Sequence, residues 1–200
     1  HGVVLKGDIP IGVNRNSVDT WVSPELFHMH MQAGAPPDMF SVKGQNWELP
    51  TYNWEIMEKT GFDWWKKRFG QMSNYFNTFR IDHILGFLRI WQVATTQVEG
   101  NKGHLNACTR IHVNEFAEKG LWFDYNRFCK PYITDSILWD FFGEDASWVK
   151  ANCLQIEDGW VLRLKAAYQS QLAVENMFEE GKISERIKWG LFDLISNVLF

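Results

Sequence analysis

The stretch Phe79-Arg80-Ile81-Asp82-His83-Ile84-Leu85-Gly86-Phe87 decides how the rest of the chain is read. Its apolar residues suit a short buried strand, yet three ionisable side chains interrupt them. Successive side chains of a strand point to opposite faces, so Arg80 and Asp82 share one face while Phe79 and Ile81 share the other. A charged pair on an otherwise apolar strand is costly if it is buried and idle. It is either a working site or an ion pair on an exposed edge, and this segment alone leaves both open.

Just upstream, Phe62, Trp65, Phe69, Met72 and Phe76 recur at helical spacing, with Lys66, Lys67 and Arg68 on other faces. That pattern predicts an amphipathic helix whose apolar stripe is core. Further back, Val3 to Val13 is a largely apolar run suited to a parallel strand, and Pro10 discourages deeper pairing beyond Asp8. Strand, loop, helix and strand make a βαβ unit with parallel strands. Chemistry in (β/α)8 barrels gathers at the carboxyl ends of strands, where Asp8 and Asp82 both fall. Between them, residues 14–50 lose regular patterning apart from a helix start at Ser23-Pro24. Gly34, Pro36-Pro37-Asp38 and Gly44 punctuate a long loop. Trp21, Phe27, Phe40 and Trp47 within it argue for an ordered binding loop.

Downstream, Leu88–Val93 reads as a continuation into a helix or loop, and residues 98–131 as irregular. Asp135–Phe142, Ala146–Leu154 and Trp160–Glu180 read as helices, the last stopped by Gly181, and Ser184 caps a final helix. The expected division is therefore 1–97 and a mostly helical 98–200, with no internal repeat.

Composition narrows the function classes. The chain has 200 residues with Lys+Arg 20 against Asp+Glu 24, a formal net charge of −4. No basic excess or cluster suits nucleic acid or an anionic membrane. No apolar run is long enough to span a bilayer. Cys108, Cys129 and Cys153 form neither a disulfide framework nor a zinc pattern, which fits a reducing compartment. No metal-binding spacing and no phosphate-binding or dinucleotide fingerprint occurs, so no cofactor is expected. His28 and His30 alternate within the loop region and read as surface or turn residues rather than ligands. The 11 Trp residues suit stacking on flat ligands as well as core packing. The chain begins at His1-Gly2, enters Val3-Val4-Leu5 directly, and stops inside apolar patterning at Ile195–Phe200. It is therefore expected to be a piece of a longer protein.

Two carboxylates at strand ends, an adjacent Arg and a loop of aromatic rings suit glycosidic chemistry. A retaining enzyme needs an ionised carboxylate as nucleophile, and a neighbouring Arg favours that form. Asp82 fits the nucleophile. Asp8 serves either as a sugar contact or as an anchor for its loop. His83 faces either a substrate hydroxyl or a backbone carbonyl.

Six motifs in order resemble one family. They are Gly7-Asp8-Ile9-Pro10-Ile11, Asn16-Ser17-Val18-Asp19-Thr20-Trp21, Gly34-Ala35-Pro36-Pro37-Asp38, Gly44-Gln45-Asn46-Trp47, Thr51-Tyr52-Asn53-Trp54 and Arg80-Ile81-Asp82-His83. They look like those of the 4-α-glucanotransferases of glycoside hydrolase family 77, the amylomaltases or disproportionating enzymes, and most like the cytosolic plant type. The resemblance implies an α/β fold: the third and fourth strands of a (β/α)8 TIM barrel with their loops, then a helical insertion. It implies Asp82 as nucleophile with Arg80 supporting it. Substrate contacts are implied at Asp8, His83, Trp47, Asp38, Phe40 and Tyr52. An α-glucan or maltose donor, a glucan acceptor and a cytoplasmic location follow from the same resemblance. The alternatives are a non-catalytic carbohydrate-binding scaffold and an α-glucan hydrolase. Two positions depart from the family pattern: Met39 stands where many members have Tyr, and Glu48 where Gly commonly follows the Trp. The family's acid/base Glu and third carboxylate come after the insertion. Glu157 and Glu175, read as helical, do not fill those roles. The insertion itself suits a lid, a dimer surface or a polysaccharide site equally.

Overall fold

In chain order the first elements are strand β1 (Lys6–Ile9), helix α1 (Val18–Val22), and short strands β2 (Phe27–His28), β3 (Met31–Ala35), β4 (Gln45–Asn46) and β5 (Thr51–Tyr52). Helices α2 (Trp54–Lys59) and α3 (Asp63–Ser73) follow, then strands β6 (Thr78–Ile81), β7 (Ile90–Ala94) and β8 (Gly103–Asn106). Next come helices α4 (Val113–Glu118), α5 (Tyr125–Phe128), α6 (Asp135–Phe142) and α7 (Ala146–Cys153). Strands β9 (Leu154–Glu157) and β10 (Val161–Leu164) precede helices α8 (Gln171–Glu179) and α9 (Glu185–Ile195). This computed structural model describes residues 2–108, 111–157 and 161–199. They divide into two units, residues 1–95 with 99–108 and residues 96–98 with 109–200.

In the first unit β1 and β6 pair in parallel, with Asp8 opposite Arg80. The βαβ reading of the sequence therefore holds, but the first strand covers Lys6–Ile9 rather than residues 3–13, and Val3, Val4 and Leu5 are exposed. Gly7 is required where it stands, because a Cβ there would meet the Phe76 ring at 2.6 Å. Ile9 and Met57 are fully buried in a core with Phe27, Tyr52 and Trp65. Each such aliphatic side chain contributes about 1.5–3 kcal/mol.

Helix α3 begins one residue later than its apolar pattern suggests, after Phe62 adopts a left-handed conformation with φ 58°. Its stripe is only partly core: Trp65 is buried, whereas Phe62 and Phe69 are exposed along an apolar groove with Ile81 and Phe87. Strand β6 is likewise mostly exposed rather than buried. Among the described residues it has β1 on one edge and no strand on the other.

A four-stranded antiparallel sheet, ordered β4-β3-β7-β8, corrects the reading of residues 14–50 as loop and of Leu88–Val93 as helix or loop. Strand β3 is Met-Gln-Ala-Gly-Ala, which carries no β-branched signal, and its partner β7 lies far along the chain. Gln92 is buried in this unit, where its Nε2 donates to Thr51 Oγ1 at 2.6 Å. Because β8 pairs with β7, the expected boundary at 97/98 does not hold for residues 99–108.

The second unit is built around a buried cluster that includes Leu138, Phe142, Val174, Leu191 and Phe192. Hydroxyl caps start three of its helices: Thr134 Oγ1 accepts from Ile137 N, Ser170 Oγ from Ala173 N, and Ser184 Oγ from Ile187 N. Gly181, at φ 72°, follows α8 as the sequence predicts. The helix expected over Trp160–Glu180 is confined to Gln171–Glu179. Before it, β10 pairs antiparallel with β9, placing Leu164 opposite Leu154 in the core, while Trp160 lies outside the described residues. Glu157 is accordingly a strand residue, paired with Arg163 at 3.3 Å. Glu175 pairs with Lys188 at 3.4 Å. Gln171 is fully buried; its Oε1 accepts from Val98 N at 3.0 Å and its Nε2 donates to Ser196 Oγ at 3.2 Å. No helix among the described residues is long and apolar enough to cross a membrane.

Candidate active site

The parallel register of β1 and β6 brings three charged groups together. Asp8 and Arg80 are lateral neighbours, so their side chains emerge on the same face. Asp82 follows the last residue of β6 and stays on the ladder, donating its N–H to the Ile9 carbonyl at 2.9 Å. One guanidinium then spans both carboxylates: Arg80 Nε is 3.3 Å from Asp8 Oδ1, and Arg80 Nη2 is 2.6 Å from Asp82 Oδ1. The hydrogen bond to Asp82, followed by the charges of Asp8 and Asp82, raises the Arg80 pKa above its ordinary value. All three side chains are at least two-fifths exposed, so little desolvation cost weighs on them and little stability rests on the pairs.

His83 sits at the turn from β6 into a one-turn 3-10 helix, in the left-handed region with φ 47°. A non-glycine residue there is strained by about 1–3 kcal/mol, which its surroundings must hold. The His83 carbonyl accepts from Gly86 N at 2.8 Å. The ring meets Trp47 edge to face, with centroids 5.2 Å apart and planes at 82°. Gly86 leaves room for it, since a Cβ at that position would lie 2.6 Å from His83 Cδ2.

Trp47 packs against a small core of Ile11, Ala33 and Ile90, and its Nε1 donates to Gln45 Oε1 at 3.0 Å. The next residue, Glu48, has φ 60°, and its N–H donates to Asn46 Oδ1 at 3.0 Å. Glycine would take this left-handed backbone without strain, whereas Glu48 holds it against its Cβ.

The other expected contacts stand apart from this set. Asp38 shapes its own loop: its Oδ1 accepts from Phe40 N at 2.9 Å and from Ser41 N at 2.7 Å. That loop presents Met39 and Phe40 at 85% and 89% exposure. Tyr52 is a core residue, 5% exposed and ringed by Phe27, Trp54, Trp64, Trp65 and Phe87. Burial pushes its phenol pKa upward. Among the described residues no hydrogen bond, ion pair or ring contact links Asp38, Phe40 or Tyr52 to Asp8, Arg80 or Asp82.

Two supporting residues escaped sequence reasoning, and each left a signal. Gln45 and Trp47 are two apart, which suits neighbours on one face of a strand. Gly86 follows His83 by three residues, the spacing of one tight turn.

Comparison with known proteins gives a consistent picture. A family profile described as 4-alpha-glucanotransferase (glycoside hydrolase family 77) matches residues 1–168. The chain is 41% identical to the 4-alpha-glucanotransferase DPE2 of Oryza sativa subsp. japonica, over 98% of this chain and 22% of that protein. It is 43% identical to the 4-alpha-glucanotransferase of Chlamydia pneumoniae, over 46% of this chain and 17% of that protein. Among solved structures, it is similar to an amylomaltase from Streptococcus agalactiae in complex with acarbose. That match has a TM-score of 0.49 and 25% identity, and covers 80% of this chain and 36% of the other. The chain thus spans about a fifth of the length of the curated relatives it matches.

Proposed function

Because the chain belongs to the 4-alpha-glucanotransferase family, we propose that it carries the nucleophile half of the active site of such an enzyme. The complete protein moves a glucosyl or glucanosyl unit from maltose or an α-1,4-glucan to a glucan acceptor such as glycogen or a starch-like chain, in the cytoplasm. On this reading β1 and β6 are the third and fourth strands of a (β/α)8 barrel.

One observation carries the reading: Arg80 bridges Asp8 and Asp82 where two adjacent parallel strands end. In the first step an Asp82 oxygen attacks the anomeric carbon of the donor. The bond from that carbon to the glycosidic oxygen breaks, and the departing oxygen takes a proton from a general acid, which no residue of this chain is assigned to be. The resulting ester is released when an acceptor 4-hydroxyl attacks the same carbon and gives its proton back to the conjugate base of that acid, and Asp82 leaves as a carboxylate. Arg80 fixes the orientation of the Asp82 carboxylate and supplies its counter-charge. Asp8 and His83 take sugar hydroxyls, and Trp47 offers a flat face to the ring. The family resemblance assigns the loop of Met39 and Phe40, exposed here, to the wall that packs on bound glucan and limits water while the acceptor binds. Asp38 acts through the loop, and Tyr52 through the core beneath.

Incubating the complete protein with maltose and glycogen tests this. Glucose should be released while the glycogen chains lengthen, and Asp82→Asn should lower transfer by at least about a thousandfold. An Asp82→Asn protein with undiminished transfer would falsify the assignment. Reducing ends that accumulate equally without acceptor would mark a hydrolase instead.

A further inference from the structure

The second unit contains a cleft of about 330 Å3 between α5, the segment leading into α6, and β10. That volume lies at the small end of ligand clefts, enough to take the end of a chain rather than its length. Its lining includes Asn126, Arg127, Tyr132 and Arg163. Arg163 is held in place, with Nε 3.3 Å from Glu157 Oε2 and Nη1 donating to the Pro131 carbonyl at 3.3 Å. Asp124 caps α5, accepting from Arg127 N at 3.1 Å. These bonds fix the walls.

Other groups in the cleft are left unengaged. The Arg127 guanidinium lies over the Tyr132 ring, 4.2 Å from its centroid, and among the described residues it has no acceptor. Neither the Asn126 amide nor the Tyr132 hydroxyl has a hydrogen-bond partner among them. The cleft therefore offers planar donors and a hydroxyl beside an aromatic ring. Asp135 is paired with Lys150 and Arg163 with Glu157, and Asp124 offsets Arg127, so the charges around the cleft balance and favour a neutral ligand over an anion. Trp122 and Tyr125, on the same segment as Asn126, are 71% and 61% exposed. Neither ring lines the cleft itself, where one face of Tyr132 is covered by Arg127, so the cleft offers mainly unengaged donors and a hydroxyl, which match the hydroxyl-rich edge of a sugar.

We propose that this cleft, built from residues other than those assigned to catalysis, is a second α-glucan docking site that holds the end of an oligosaccharide or polysaccharide chain. The proposal rests on the reading that the complete protein handles α-glucans.

The test is hydrogen exchange of the complete protein with and without maltoheptaose. At ligand concentrations about ten times the dissociation constant, amides in 124–135 and 161–164 should exchange roughly tenfold more slowly. Asn126→Ala and Arg127→Ala should each lower that protection severalfold, and Asn126 is exposed enough for its variant to fold normally. In Asp82→Asn the protection should persist. Absence of slowing in these segments, slowing unchanged in both cleft variants, or slowing by inorganic phosphate but not maltoheptaose would each overturn the proposal. Transfer from maltose is measured separately: protection at the cleft without any transfer would overturn the catalytic reading and leave this one standing.

Discussion

Arg80 Nη2 lies 2.6 Å from Asp82 Oδ1, while Nε of the same guanidinium reaches Asp8 at 3.3 Å. A planar fork can serve two carboxylates at once, whereas an ammonium is a single point charge. Arg80→Lys should therefore misplace one carboxylate and lower transfer by about a hundredfold. The thermal midpoint should not move, because the pairs are exposed. Steady-state kinetics beside a melting curve check this, and a collapse of the fold in the Lys variant would show that the bridge is structural.

Glu48 stands at φ 60° directly after Trp47. Glycine reaches that conformation freely, whereas a β-branched side chain resists it. Glu48→Gly should be neutral or stabilising by up to about 1 kcal/mol, and Glu48→Val destabilising by about 1–2 kcal/mol. Denaturant titration of the pair reads the difference; equal stabilities would show that this turn relaxes.

His28 carries a pH dependence. Its pKa is lowered from 6.5, first by burial and then by the charge of His30, with Glu55 acting weakly in the opposite direction. Neutral Nδ1 can accept from the Thr51 hydroxyl 3.3 Å away, and protonation removes that acceptor. The folded state thus binds the proton less tightly than the unfolded chain. Stability should be full above the unfolded value and fall as pH drops from about 6.5 towards the lower folded pKa. Melting curves between pH 5 and pH 7.5 should show this slope in the natural protein, and a shallower one in His28→Asn.

Cys153 is fully buried, and burial raises its thiol pKa to about 11. At pH 8 its thiolate fraction is roughly one in a thousand. A thiol reagent should modify exposed Cys108 first and reach Cys153 only through unfolding. Mass spectrometry of partially labelled protein checks the order, and early labelling of Cys153 would reveal an opening near α7.

What the sequence disclosed depended on how local each cause was. Asp8, Arg80 and Asp82 were legible because a βαβ pattern fixes two parallel strands, and their side-chain alternation follows from the pleat. The β3–β7 pairing was not, because Gln32 and Ala94 meet across 62 residues and β3 has no strand signature of its own. Strand β10 hides in a helical period, because Val161, Leu164, Tyr168 and Leu172 fit one, and only its pairing with β9 decides for a strand. The motif that carries Tyr52 implies a substrate contact but does not show the rings that bury it, which come from residues as distant as Phe27 and Phe87.

The route of the chain through Val98 bears on the order of folding. The β7–β8 hairpin closes over a short span and can form once residue 106 is available. Val98 lies inside that span, but its N–H bonds Gln171, 73 residues further on. During synthesis both strands of the hairpin are therefore available while the tip of its own connection still waits for a partner. Val98 and Thr96 can make their native bonds, to Gln171 and Leu172, only once residue 172 has been made, so translation sets the earliest moment at which this turn is fixed.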